Sequence, residues 1–403
     1  MNVSKITNKI KNIKITGRGI YFFSFIMYFV ISFLRTSTYT EVVSSNQLVR
    51  ITYLIALLLI LKVYFFDQQT VKSFLINSLV ILVGVVIWRS THAIDIFLYM
   101  LFVISARDIN YHALIEFYLK IGILMLVFMV ISSGLGIIKD LVFIRNGVRR
   151  HSLGILYPTD FAAHAFFLVL AYCYVYFRKL DWKAYLSFIL LAVFLTVETQ
   201  ARLDIISILL TIPVIWIAKR ASEGKAFSKF MASFYWMIAP ILAYITVLAA
   251  YFYGHSKPYI FADKIVSGRL ALSHTAFQKY GVSVFGNLVQ EHGFGGNAGS
   301  RAFYQSGMGG KYFFIDSSFM RLMIIYGVIT FVAVIAVMTI IGLKSVLTSD
   351  YRLAAIMVML AISCVIEQHL LDMSYDPFLI ALFASEITGH DRHENHDLAT
   401  LEV

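Results

Sequence analysis

Twelve apolar stretches, most of them separated by only a few polar residues, leave this chain little to fold into except a bundle of membrane-spanning helices. They run near 19–34, 51–66, 73–88, 94–106, 113–138, 159–177, 184–199, 203–218, 229–253, 317–343, 353–367 and 377–388. A helix needs roughly 20 apolar residues to cross a bilayer upright, so 94–106 and 377–388 read as short, half-buried or re-entrant pieces. Composition agrees: 59% of the 403 residues are hydrophobic and 14% charged. Soluble domains run at about 45–50% apolar and about 25% charged. The expected fold class is all-α, a polytopic transmembrane bundle with one large extracytoplasmic loop. Residues 1–253 would form the first nine spans, 254–316 the loop, 317–389 the C-terminal spans and 390–403 a cytoplasmic tail.

Charge sets the expected orientation. The formal net charge of +11 forms no single stripe, which argues against nucleic acid; the basic residues sit in the gaps between apolar runs. The stretch before residue 19, the turn Arg178–Lys183 and the turn Lys219–Lys229 hold five, three and four Lys or Arg. The positive-inside rule then places both termini in the cytoplasm of a multi-pass protein of the cell membrane. The basic start resembles a signal peptide, but no small-x-small cleavage site follows, so an uncleaved first span is expected. Cys173 and Cys364 lie in apolar runs without CxxC spacing, which points to packing residues. Pro213 and Pro240 fall inside spans and are expected to kink them.

Two external loops run against the insertion bias. One, 139–158, carries Lys139, Arg145, Arg149 and Arg150. The other, 254–316, carries Lys257, Lys264, Arg269, Lys279, Arg301 and Lys311 against Asp263 and Glu291. Its apolar and aromatic content favours a small folded cap over a structureless loop.

Candidate chemistry concentrates in a few segments. In Val148-Arg-Arg-His-Ser-Leu-Gly-Ile-Leu-Tyr-Pro-Thr-Asp160, Arg149, Arg150 and His151 suit a phosphate or diphosphate, because a guanidinium offers a fixed fork of donors; lipid head groups are the plain alternative. In Glu198-Thr-Gln-Ala-Arg-Leu-Asp204, Arg202 and Asp204 sit at the edge of hydrocarbon, where ionisable groups are costly; they are functional groups, or Arg202 snorkels or pairs with the local Glu to tie the turn. Ser267-Gly-Arg-Leu-Ala-Leu-Ser-His274 opens an amphipathic stretch of the large loop with Arg269. Asp316 precedes an apolar run and serves either as a helix N-cap or as a general base. Its glycine-rich neighbour Gly286 to Gly296 lacks the Lys-Ser/Thr of a phosphate loop and reads as turns. Glu367-Gln-His369 could bond a sugar or another loop. His390, His393 and His396 read as a solvated tail instead of a metal site.

Taken together, the layout resembles the bacterial polysaccharide polymerases called Wzy and the related O-antigen ligases. The matching pieces are Thr199-Gln-Ala-Arg202, Ser267-Gly-Arg269, the loop end from Asp316 to Gly327, and Arg150-His-Ser-Leu-Gly154 through Pro158. After Pro158 this chain has Thr159-Asp160 where the polymerases carry Asn. The resemblance implies a glycosyltransferase that joins undecaprenyl-diphosphate-linked oligosaccharide units outside the membrane. It also implies arginines on the diphosphate, and as partners a chain-length regulator and a flippase of the same pathway. The ligases carry a His where this chain has Asp316, which leaves Asp316, His292 and His274 as candidate bases. The loop has no Asp-x-Asp pair, so neither metal nor cofactor is expected. A lipid-linked oligosaccharide flippase is the main rival. Transporters place ionisable groups at mid-membrane, and here Lys62, Glu116 and Lys120 are the few such residues.

Overall fold

The computed structural model describes residues 16–145, 147–254, 256–305 and 312–385. The chain is a mostly helical membrane protein. Among the described residues eight helical stretches are long and apolar enough to cross a bilayer: Gly17–Arg35 (α1), Ser45–Phe66 (α2 and a π-turn from Lys62), Val71–Thr91 (α3), Tyr111–Gly134 (α5), Pro158–Val175 (α6), Arg202–Ser222 (α8), Ala226–Tyr251 (α9, Ala226–Ala232, and α10, Ile238–Tyr251) and Val328–Leu347 (α15). Shorter apolar helices fill the bundle: Ile94–Ile104 (α4), Trp182–Glu198 (α7) and Arg352–Ile366 (α16).

Burial separates lipid-facing helices from central ones. Leu75, Leu79 and Leu82 of α3, and Leu124 and Ile131 of α5, are all at least half exposed. Apolar stripes of that extent are stable only against lipid. By contrast α6 and α16 are buried almost all round. Their alanines (Ala162, Ala163, Ala165, Ala171; Ala354, Ala355, Ala361) let neighbouring backbones approach closely, which is how helices pack where lipid is the competing solvent. Pro213 lies within a continuous α8, and Pro240 falls in the first turn of α10, where a missing N–H leaves no bond unmade.

Two expected spans take another form. The run 317–343 is split into Ser318–Ile324 (α14) and α15 by a break at Ile325–Gly327. The cap segment Ser283–Asn287 satisfies the freed backbone: Asn287 N donates to Ile325 O, Asn287 Nδ2 to Ile324 O, and Val328 N to Ser283 O. The run 377–388 is not a helix in its described part. Glu367–Ser385 instead threads the bundle as irregular chain with two 3-10 turns, most of it buried. Such backbone survives in a membrane only where protein groups meet its carbonyls. Here Tyr99, Tyr111 and Tyr118 donate their hydroxyls to Asp376 O, Phe378 O and Tyr375 O.

Both described ends of the chain lie at one end of the bundle. Gly17 abuts Phe66, Lys62 Nζ donates to Ser105 O and Arg107 O, and Ser385 N donates to Ile109 O. Lys62 is therefore buried at a helix end, paired with Asp67, and Glu116–Lys120 form a local pair on α5. Other ionisable residues sit inside the bundle: His164 on α6 and His369 and Asp376 on the irregular segment are buried, and Asp372 beside them is half-buried. At the opposite end, Val142–Arg145 (β1) and Val148–His151 (β2) form a hairpin, with Phe143 opposite Arg150. It packs on the folded 254–316 segment, which contains Lys257–Ile265 (α11), Arg269–Tyr280 (α12) and Gly296–Gln305 (α13). Phe143 meets Phe303 edge-on, Tyr304 donates to Val142 O, and Gly296 N donates to Leu156 O. The two loops with anomalous charge thus make one lid-like layer. The His390–His396 tail falls outside the described residues.

Candidate active site

Beneath that layer lies a cavity of about 700 Å³ whose walls come from the hairpin, the α6 and α8 N-termini, the cap and the start of the irregular segment. Each charged side chain in it is positioned by a local device. Alternation along β2 turns Arg150 inward, where it is buried; its Nε donates to Thr199 O at 2.8 Å and its guanidinium lies over the Tyr157 ring. Arg149, one residue earlier, points to the other face and is exposed. His151 is used structurally: Nδ1 lies 2.5 Å from Asp140 Oδ2, and Asp140 also accepts from Ser152 N and Leu153 N.

Arg202 opens α8 at the cavity wall and Asp204 follows, buried, in the first turn. Arg269 opens α12 after Gly268, whose φ of 87° suits glycine. No side chain of the N-cap itself caps this helix; Asp263 does it from outside, accepting from Leu270 N and Ala271 N. The guanidinium is then gripped on three sides. Nε donates to Ile366 O at 2.5 Å, Nη1 to Val266 O at 3.4 Å and Nη2 to Glu367 Oε1 at 3.2 Å. Asp316 Oδ2 is 3.8 Å from Nε.

Asp316 is not a helix cap. Ser317 occupies that position, with its hydroxyl given to Cys364 O, and the Asp316 carboxylate turns to the cavity between Arg269 and Tyr312. Burial pushes its carboxyl up from the ordinary range, opposed by Arg269 and Arg321. Arg321 and Glu291 brace this corner, since Glu291 Oε1 accepts from both Arg321 Nη1 and Ile315 N.

The other two candidate bases lie elsewhere. His274 faces α10, its Nδ1 2.9 Å from Ala250 O, and His292 is exposed, with its backbone bridged to Phe313. Neither lines the cavity, because α12 carries only its first turn there and Gly293–Gly295 turn away from the bridge. Tyr312 lines the cavity, stacked on Phe294 at 4.8 Å.

Arg150, Arg202, Arg269 and Asp316 are brought together; Arg149, His151, His274 and His292 are not. The cavity also takes in Glu367, from the Glu367-Gln-His369 segment, and Arg145 and Asp160, to which the sequence assigned no role of their own. Asp160 follows Pro158 at a helix start, where an acid is ordinary, so nothing in the local pattern distinguishes it. No family model matches the chain, and neither a curated protein nor a solved structure matches it.

Proposed function

We propose that this protein is a glycosyltransferase of the bacterial cell membrane that polymerises undecaprenyl-diphosphate-linked oligosaccharide units at the outer face. The observation that carries the reading is the cavity under the cap, in which arginines and carboxylates meet at one end of the bundle. Arg150 and Arg269, each held by bonds to the protein, and the exposed Arg145 and Arg202 on the cavity wall supply donors for a diphosphate leaving group. Charge that develops as the sugar–diphosphate bond breaks is stabilised by such preorganised donors. The acceptor hydroxyl attacks the anomeric carbon, the bonding pair leaves with the diphosphate, and a cavity carboxylate takes the hydroxyl proton. The volume suits a sugar of one or two rings with part of the diphosphate.

Cells lacking the protein are expected to accumulate single repeat units on lipid at the outer face of the membrane. Accumulation at the inner face would replace this reading with a flippase. The same reading requires the cap to be external, as the basic-loop asymmetry indicates. An Arg301→Cys variant offers one exposed thiol on α13, because Cys173 and Cys364 are both buried. A membrane-impermeant maleimide should label it in intact cells; labelling only after lysis would place the cavity on the wrong side for this chemistry.

A further inference from the structure

We propose that Asp160 is the carboxylate that takes the proton of the attacking hydroxyl, and that His369 positions it; this rests on the glycosyl-transfer reading above. Among the described residues four carboxylates adjoin the cavity. Glu367 accepts from Arg269 Nη2 and Asp316 lies between Arg269 and Tyr312, so both face a cation; Asp204 has no hydrogen-bond partner at Oδ2 but is only 1% exposed, too enclosed to meet an acceptor. Arg269 opposes the rise that burial gives the Glu367 and Asp316 carboxyls, so each is a weaker proton acceptor than it would be without the guanidinium. Among the described residues Asp160 accepts no hydrogen bond and pairs with no arginine. Its side chain is 20% exposed, on the cavity wall.

The His369 ring approaches it, with Nε2 3.7 Å from Oδ1. His369 is buried, and Nε2 has no hydrogen-bond partner; it points between Asp160 Oδ1 at 3.7 Å and Glu367 Oε2 at 3.8 Å. A buried nitrogen left unbonded is costly and uncommon. The ring cannot turn away to find another partner, because it is the end of a stack. His369 lies 3.8 Å from the Tyr375 ring, Tyr375 lies 3.8 Å from His164, and His164 lies 4.3 Å from Phe33. The stack is pinned below by Thr36 Oγ1, 3.0 Å from His164 Nε2, and by Tyr118, which donates to Tyr375 O. Separations of 3.7 Å are loose for a hydrogen bond, yet catalytic bonds commonly tighten only when substrate is bound. A neutral His369 donating from Nε2 to Asp160 Oδ1 leaves Oδ2 free for the acceptor hydroxyl. The acceptor O–H bond then breaks toward Oδ2 as the glycosidic bond forms and the diphosphate departs.

The groups that bear on Asp160 titration are Asp204 from α8, Asp316 and Tyr312 from the cap, Tyr157 beside the hairpin, and Glu367, His369, Asp372 and Tyr375 from the irregular segment. The test is transfer by purified protein in vesicles on a synthetic lipid-linked repeat unit. Asp160→Asn is expected to lower the rate by about 10²–10⁴-fold, with Asp316→Asn losing far less. His369→Phe keeps the ring on Tyr375 but removes the nitrogen, and is expected to move the acid limb of the rate–pH profile. His369→Gln, whose amide nitrogen reaches the same place, is expected to restore it. Should Asp160→Asn not accumulate as folded protein, Asp160→Ala is assayed with formate, which raises its rate if a carboxylate is needed there. A near-normal rate for Asp160→Asn, or no rise with formate, overturns the Asp160 assignment while leaving the polymerase reading in place. An unmoved pH profile for His369→Phe overturns the positioning role. Failure of the unaltered protein to transfer any repeat unit overturns both this inference and the reading beneath it.

Discussion

Arg269→Ala is expected to abolish polymer formation by purified protein, with a rate loss of at least about 10²–10³-fold, the usual consequence of removing one preorganised charge-stabilising donor. The substitution also leaves Glu367 and Asp316 without their buried cation. Breaking a buried pair on one side typically costs about 3–5 kcal/mol, so the melting temperature is expected to drop as well. The two effects separate in a double variant. Arg269→Ala with Glu367→Gln removes both charges and is expected to recover much of the lost stability, while the rate stays low. Arg269→Lys keeps the charge but cannot reproduce three directed bonds to Ile366 O, Val266 O and Glu367, so little activity should return. A double variant that regains its rate along with its stability would show that Arg269 only holds the cap to α16.

The second large effect lies at the glycine crossing that replaces an expected helix. Gly286 has φ of 93°, and a Cβ there would sit 2.1 Å from Ile325 O; Gly327 has φ of 90°, with its Cβ position 2.4 Å from Gly286 N. In both cases the obstacle is backbone, which cannot rotate aside. Left-handed geometry alone costs a non-glycine residue about 1–3 kcal/mol, and the overlap adds to that. Gly286→Ala and Gly327→Ala are therefore expected to lower the melting temperature in detergent, with protease cleavage of the 254–316 segment before the bundle unfolds. Gly134→Ala, at the end of α5 with nothing within 4 Å of its Cβ position, is the control and should be neutral. Equal melting temperatures for all three variants would mean that the cap does not depend on this crossing.

Much of the architecture was legible because lipid imposes a simple rule: a long uncharged run must become a helix that satisfies its own backbone. The runs that became α1, α2, α3, α5, α6 and α8 follow that rule directly, since each is long and uninterrupted. Basic residues in the two anomalous loops likewise pointed to where the charged cavity lies.

Other features depended on partners remote in sequence. The run 317–343 has ample hydrophobicity for one helix, and it breaks because Ser283–Asn287 offers hydrogen bonds to the freed groups. Glu367–Ser385 stays irregular in the bundle because tyrosines from α4 and α5, more than 250 residues away, meet its carbonyls. His274 and His292 looked as suitable as Asp316 by residue type; only helix phase and the cap's path put Asp316 in the cavity and the two imidazoles outside it. Asp160 had no distinguishing signal beside Pro158, and gains one only where His369 and the arginine-paired carboxylates surround it. The sequence by itself determined which segments enter the membrane, because hydrophobicity is a property of each residue. Which polar side chains share the cavity was decided by tertiary structure, because a carboxylate's proton affinity is set by neighbours that chain order does not reveal.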